Sequence, residues 1–153
     1  MKILLATDGS KQSEAAIDAL KTFRFKEGDE IKIVSVVDMA VPMAIDIYGG
    51  YLPDTTEMEK TAREHAARIL EETCARLEGI CGSKNVTFTS EVLFGTPESR
   101  IVETAEQMEA DMIVVGSHGY SRWERLLLGS VSDSVVNHAP CSVLVVRSPK
   151  VDQ

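Results

Sequence analysis

The sequence predicts an α/β fold: an open five-stranded parallel sheet of order 3-2-1-4-5, Rossmann-like, with helices on both faces. Three observations carry this. Short apolar runs alternate with segments whose apolar residues recur at helical spacing, giving the order βαβαβαβαβ, and consecutive parallel strands require such crossovers. The runs KILLAT, MIVVG and CSVLVVR are nearly continuous rather than alternating, as in a sheet buried on both faces. The first and fourth runs both end in turn and glycine chemistry, and those ends meet at one crevice only if the two strands are neighbours, as this order makes them.

Taken in order, residues 2–7 (KILLAT) read as a buried strand, and Asp8-Gly9-Ser10 ends it as a turn and helix cap. Ala16, Ile17, Leu20 and Phe23 then recur at helical spacing until Glu27-Gly28-Asp29 breaks the pattern. Residues 30–37 (EIKIVSVV) are β-branched enough for the second strand. From Asp38 to about Thr56 the chain is irregular yet carries Val41, Met43, Ile45, Tyr48 and Tyr51. A connection of that length is either a flap or partner contact near a site or a tolerated insertion, and the residues do not separate the two.

Glu57 to about Ile80 is a long amphipathic helix with Ala66, Leu70, Cys74 and Leu77 on one stripe. Residues 85–94 (NVTFTSEVLF) form the third strand, closed by Gly95. Thr96-Pro97-Glu98 starts a helix with a capping hydroxyl, a proline at the first helical position and an acid beside the positive dipole end. Ile101, Val102, Ala105 and Met108 continue it. The stretch from Met112 to Val131 supplies the fourth strand, a loop and the next helix, and residues 141–147 (CSVLVVR) are the last strand.

At 153 residues the chain is expected to form one domain, 1–153, that buries a core without metal or disulfide support. A formal net charge of −8 disfavours nucleic acid and acidic membrane surfaces as partners, so an anion site has to be local. Cys74, Cys81 and Cys141 show no C-x-x-C spacing, which points to reduced thiols in a cytoplasm and to no metal site. The opening apolar run is too short for a signal peptide, and no window approaches the ~20 apolar residues of a membrane span. The expected location is cytoplasmic.

The stretch MIVVGSHGYSRWERLLLGSV, from Met112 to Val131, holds Gly116, Gly119 and Gly129. The first two glycines permit positive φ and let bare backbone approach a ligand. Gly129 and Ser130 fall where the N–H groups of a starting helix are unpaired and slightly positive, which suits an anion. Ser130-Val131-Ser132-Asp133 is also close to a capping box, and one helix end can serve both roles. Across the crevice, Asp8 is placed to accept hydrogen bonds from ribose hydroxyls and Val36 to pack against a base. Other nucleotide and phosphate motifs do not fit: no GxGxxG follows the first strand, there is no GxxxxGK[ST], and the third strand ends Val92-Leu93-Phe94-Gly95 without the acceptor aspartate of a phospho-receiver.

Gly116-Ser-His-Gly119, nine residues, then Gly129-Ser130-Val131, after a first strand ending in TDGS, resembles the universal stress protein family in its ATP-binding branch. The resemblance extends over essentially the whole chain, including Gly95-Thr96-Pro97 and the ending HAPCSVLVVR. It implies nucleotide contacts at Ala6, Thr7 and Asp8, at Val36 beside the base, at Val115, Gly116, His118 and Gly119, and at Gly129, Ser130 and Val131. Ala6 and Ser142 stand where many relatives carry proline; the glycines, the aspartate and the serine are retained. The implied cofactor is ATP, or AMP or ADP, with Mg²⁺ on the phosphates.

His118 has no recognisable base or nucleophile partner, so no catalytic residue is assigned. Arg122 and Arg125, flanking Trp123, read equally as phosphate clamps or as solvated surface charge. The expected function is a cytoplasmic ATP-binding stress-response regulator whose nucleotide state alters stability or partner binding. A slow ATPase or adenylate-handling enzyme and a nucleotide-independent interaction module are the competing readings. In order 3-2-1-4-5 the last strand is an edge, and Val143-Leu144-Val145-Val146 invites an antiparallel second copy. The resemblance implies a homodimer built the same way.

Overall fold

In the computed structural model, five strands form one parallel sheet of order β3-β2-β1-β4-β5. The residues described are 1–38, 55–81, 85–117 and 128–148. The elements are β1 (Lys2–Ala6), α1 (Lys11–Ala19), β2 (Glu30–Val37), α2 (Thr55–Cys81), β3 (Thr87–Phe94), α3 (Pro97–Gln107), β4 (Met112–Gly116), α4 (Ser130–His138) and β5 (Ser142–Val146). The fold class and strand order are those the sequence predicts.

β1 lies at the centre, with Leu5 in register with Ile33 of β2 and Val114 of β4. Because successive strand residues face opposite ways, one run feeds two cores. Ile3 and Leu5 join Ala16, Ile17 and Leu20 of the first helical segment and Leu70 and Leu77 of α2. Leu4 joins Val34, Ile113 and Val115 against Ile101 and Ala105 of α3 and Val135 of α4. The carboxyl ends of all five strands lie on one side, and the chain turns there into α1, α3 and α4.

Several local expectations are corrected. Phe23 lies beyond the first helix: α1 ends at Ala19, a tighter 3₁₀ turn spans Leu20–Thr22, and Phe23 is extended and stacks on Phe25 with ring centroids 6.1 Å apart. The Thr22 hydroxyl donates to the Ala19 carbonyl at 2.8 Å, a local bond of the kind that competes with continued helix. Pro97 opens α3 as expected, and Thr96 has cap backbone geometry, but its hydroxyl makes no capping bond. The third and last strands are shorter than predicted, beginning at Thr87 and Ser142. Within the irregular segment from Asp38 to about Thr56, residues 39–54 lie outside the described ones, and Thr55 already belongs to α2. Among the described residues no helix is long and apolar enough to cross a membrane.

Candidate functional site

A cleft of about 160 Å³ opens at the carboxyl ends of β1, β2 and β4, where the connections diverge to opposite sides of the sheet. Its floor is apolar and comes from the strand ends: Ala6, Val34, Val36 and Val115. Pro97 and Ile101 of α3 form one wall, and Val131 and Ser132 of α4 the other. Thr7, Asp8, Ser13 and Gly116 complete the lining with most of its polar groups.

The first polar wall is built by the turn from β1 into α1. Thr7 continues the ladder through its N–H to the Val34 carbonyl at 2.9 Å. Gly9 has φ 76°, a left-handed conformation that spares the turn a side-chain clash. Within this turn the Asp8 Oδ1 accepts from the Ser10 N–H at 3.0 Å, and the Ser10 hydroxyl caps α1 by accepting from the Ser13 N–H at 3.3 Å. The buried hydroxyls then chain together: Ser13 Oγ donates to the Ser10 carbonyl at 2.9 Å, and Thr7 Oγ1 donates to Ser13 Oγ at 3.2 Å. The α1 start is thus self-capped. Asp8 is half-buried, and its second carboxylate oxygen, Oδ2, stands outside these bonds.

The second polar wall is the start of α4. Gly129 is its N-cap, with φ −62° and ψ 154°, and among the described residues no side chain caps it. Ser130 is therefore the first helical residue rather than the cap of a box, and it is exposed. The Gly129 N–H donates to the Ser117 carbonyl and the Ser117 N–H to the Val146 carbonyl, both at 2.8 Å, which fastens the loop ends to β5. The Ser132 hydroxyl donates to the Gly116 carbonyl at 2.6 Å and ties α4 to β4. The first-turn N–H groups of α4 have no intrahelical acceptor, as at any helix start, so this end of the cleft is a donor and the Asp8 end an acceptor.

Gly116 corrects a sequence expectation. Its φ is not positive; the residues with left-handed glycine φ among those described are Gly9, Gly28 and Gly95. Glycine is required here because a Cβ would stand 2.7 Å from the Gln12 carbonyl carbon and 2.9 Å from the Ser13 nitrogen. The α1 backbone, rather than a ligand, occupies that side.

Of the residues expected at the site, Ala6, Thr7, Asp8, Val36, Val115, Gly116 and Val131 line the cleft together. Gly129 and Ser130 stand at the α4 start outside its lining. His118 and Gly119, with Arg122, Trp123 and Arg125, lie outside the described residues. Sequence reasoning missed Ser13, Val34, Pro97, Ile101 and Ser132. For Ile101 and Ser132 a signal existed in the helical period: each sits within the first two turns of a helix that begins at the cleft.

The chain matches the model of the universal stress protein family over residues 1–147. It is 33% identical over 150 residues to a universal stress protein of Staphylococcus aureus, covering 97% of this chain and 85% of that one. The structure is similar to universal stress protein UspA from Lactobacillus plantarum, with a TM-score of 0.72 at 25% identity over 96% of this chain and 97% of that one. It is also similar to a universal stress protein in complex with cAMP, with a TM-score of 0.66 at 25% identity over 97% of this chain and 98% of that one. A family match across nearly the whole length, relatives of matching extent and a shared fold lead to one conclusion: this chain belongs to the universal stress protein family.

Proposed function

We propose that the cleft binds an adenine nucleotide, ATP or its AMP and ADP forms, and that the chain is a cytoplasmic regulator whose nucleotide state alters its stability or its partner surface. The observation that carries this reading is the cleft's division into an apolar floor, an acceptor end at Asp8 and a donor end at the start of α4, which no side chain among the described residues caps. A base, a sugar and a phosphate meet those three chemistries in that order. The cAMP-bound relative supports the choice of adenine. In this reading Val36 packs on the base, Asp8 accepts from the ribose, and the backbone of Gly119, Gly129, Ser130 and Val131 holds phosphate. His118 keeps the binding role implied by the resemblance.

Magnitude decides how the parts share the work. A helix N-terminus stabilises an anion by about 0.3–2 kcal/mol, whereas micromolar affinity needs about 8 kcal/mol. Base burial on the Val34, Val36 and Ile101 surface and ribose bonding at Asp8 have to supply much of the difference. Mg²⁺ belongs on the phosphates in this reading; among the described residues no group of three His, Cys, Asp or Glu is gathered to hold an ion.

Mass spectrometry of ligand released on denaturing the purified protein should find an adenine nucleotide. By calorimetry, Asp8→Ala and Gly119→Val should each weaken ATP binding by roughly tenfold or more, the worth of one charged hydrogen bond or of a blocked backbone approach. Wild-type affinity in both variants would refute the assignment. Timed conversion of ATP by pure protein, abolished by Gly119→Val, would instead favour a slow enzyme.

The homodimer is part of the same proposal. β5 is an edge strand whose Val143, Leu144, Val145 and Val146 are all half-buried, and Val136 on neighbouring α4 is exposed. A second copy pairing along β5 would cover this surface. Sedimentation at micromolar concentration should give twice the chain mass, and a monomer would count against it.

A further inference from the structure

Ser132 is a cleft residue that neither the glycine pattern nor the capping pattern singled out. It is 4% exposed and stands beside Val131 on the first turn of α4. Its hydroxyl lies 2.6 Å from the Gly116 carbonyl oxygen. A carbonyl can only accept, so the single hydroxyl proton of Ser132 is committed to Gly116. Toward the cleft the oxygen has lone pairs to offer and no proton.

The same deduction runs through the opposite wall. Ser13 faces the Ser10 carbonyl and must donate to it, so the contact between Thr7 and Ser13 requires Thr7 to donate. Thr7 Oγ1 in turn accepts from the Gly9 N–H at 3.3 Å, and Asp8 is a carboxylate. Every side-chain oxygen lining the described cleft therefore either accepts or is already spent within the protein; none has a proton to give. A phosphate oxygen, which also lacks protons, is repelled from this surface. A sugar hydroxyl, which has one, is drawn to it.

We propose that Ser132 is a specificity-determining residue that accepts a hydrogen bond from a ribose hydroxyl, opposite Asp8, so that the cleft selects ribonucleotides over their deoxy counterparts. This rests on the nucleotide reading above. With two acceptors on separate segments, the vicinal diol of ribose is held by the β1–α1 turn on one side and α4 on the other, and the phosphates are left to backbone N–H groups. Removing the ligand hydroxyl that meets Ser132 leaves a buried lone pair unsatisfied, which penalises the deoxy analogue rather than merely failing to reward it.

The test compares ATP, 2′-deoxy-ATP and 3′-deoxy-ATP by calorimetry on wild-type protein, Ser132→Ala and Ser132→Cys. Wild-type protein should bind ATP roughly tenfold or more tightly than at least one deoxy analogue, the worth of one buried hydrogen bond. Both variants should lose affinity for ATP while keeping that of the affected deoxy analogue, so that the preference collapses. Ser132→Cys leaves no cavity and offers a much weaker acceptor, which guards against a folding defect in the alanine variant; thermal unfolding of each variant monitors this. A merely structural role would lower all three affinities in parallel, and that result, or a wild-type protein indifferent to both deoxy positions, overturns the assignment of Ser132 while the nucleotide reading stands. Wild-type protein that binds none of the three, and neither AMP nor ADP, overturns the nucleotide reading itself.

Discussion

Gly116 shows how one residue answers to two constraints. In the sequence it belongs to a spaced glycine pattern and reads as room for a ligand. In the structure its missing side chain makes room for the first turn of α1, whose Gln12 and Ser13 backbone lies within 3 Å of where a Cβ would be. Backbone cannot move aside as the end of a flexible side chain can. Gly116→Ala is therefore expected to destabilise the fold by about 1–3 kcal/mol through overpacking, measured as a fall in the urea midpoint at unchanged slope. A simple ligand-approach role would leave the midpoint of the ligand-free protein in place. The pattern was legible in the sequence; the neighbour was not, because residues 12 and 116 meet only through the β1–β4 pairing.

Among the elements, helix ends were read less well than helix bodies. The periods of α2 and α3 follow from side-chain spacing, whereas a cap depends on backbone angles at a single residue. Gly129 rather than Ser130 caps α4, and Thr96 holds its cap position without using its hydroxyl. The far end of α3 carries a similar local surprise. Its C-terminus closes with Ala110 N–H donating to the Ala105 carbonyl at 2.9 Å and Glu109 N–H to the Glu106 carbonyl at 3.1 Å, a Schellman arrangement. Glu109 occupies the left-handed position with φ 53°, where glycine is the usual residue. Its contact with Lys2 is 3.8 Å long on a side chain 87% exposed and contributes little. Glu109→Gly should raise stability by about 0.5–1 kcal/mol through relief of that conformation, and Glu109→Ala should not; paired chemical denaturation curves decide it.

At the scale of the whole molecule, the end of the sheet opposite the cleft is tied by Asp29. This buried carboxylate accepts from the Met1 ammonium at 2.7 Å and from the Lys26 N–H at 2.8 Å, while its own carbonyl accepts from the Thr87 N–H at 3.0 Å, joining the starts of β1, β2 and β3. The Met1 ammonium, followed by the Lys26 N–H, holds the Asp29 carboxyl below its ordinary pKa. A carboxylate depressed in the folded state contributes stability that is present above its unfolded pKa of about 3.9 and is lost as pH falls through the lower folded value. Asp29→Asn should therefore be less stable than wild type at neutral pH, and the gap should close below about pH 4. A pH-independent gap in thermal midpoints would show that packing, and not charge, is what Asp29 supplies. The sequence by itself determined the fold class and the two cleft-facing strand ends, because hydrophobic periodicity and turn chemistry are written in neighbouring residues, and the strand order it predicts is one that makes β1 and β4 neighbours and so brings Asp8 and Gly116 to a common crevice. Only the tertiary structure decided that α3 supplies a wall through Pro97 and Ile101, that Gly116 answers to α1, and which way the Ser132 hydroxyl points. Those are relations between residues far apart along the chain, and a hydrogen bond or a close approach between them exists only once the sheet has set the distance.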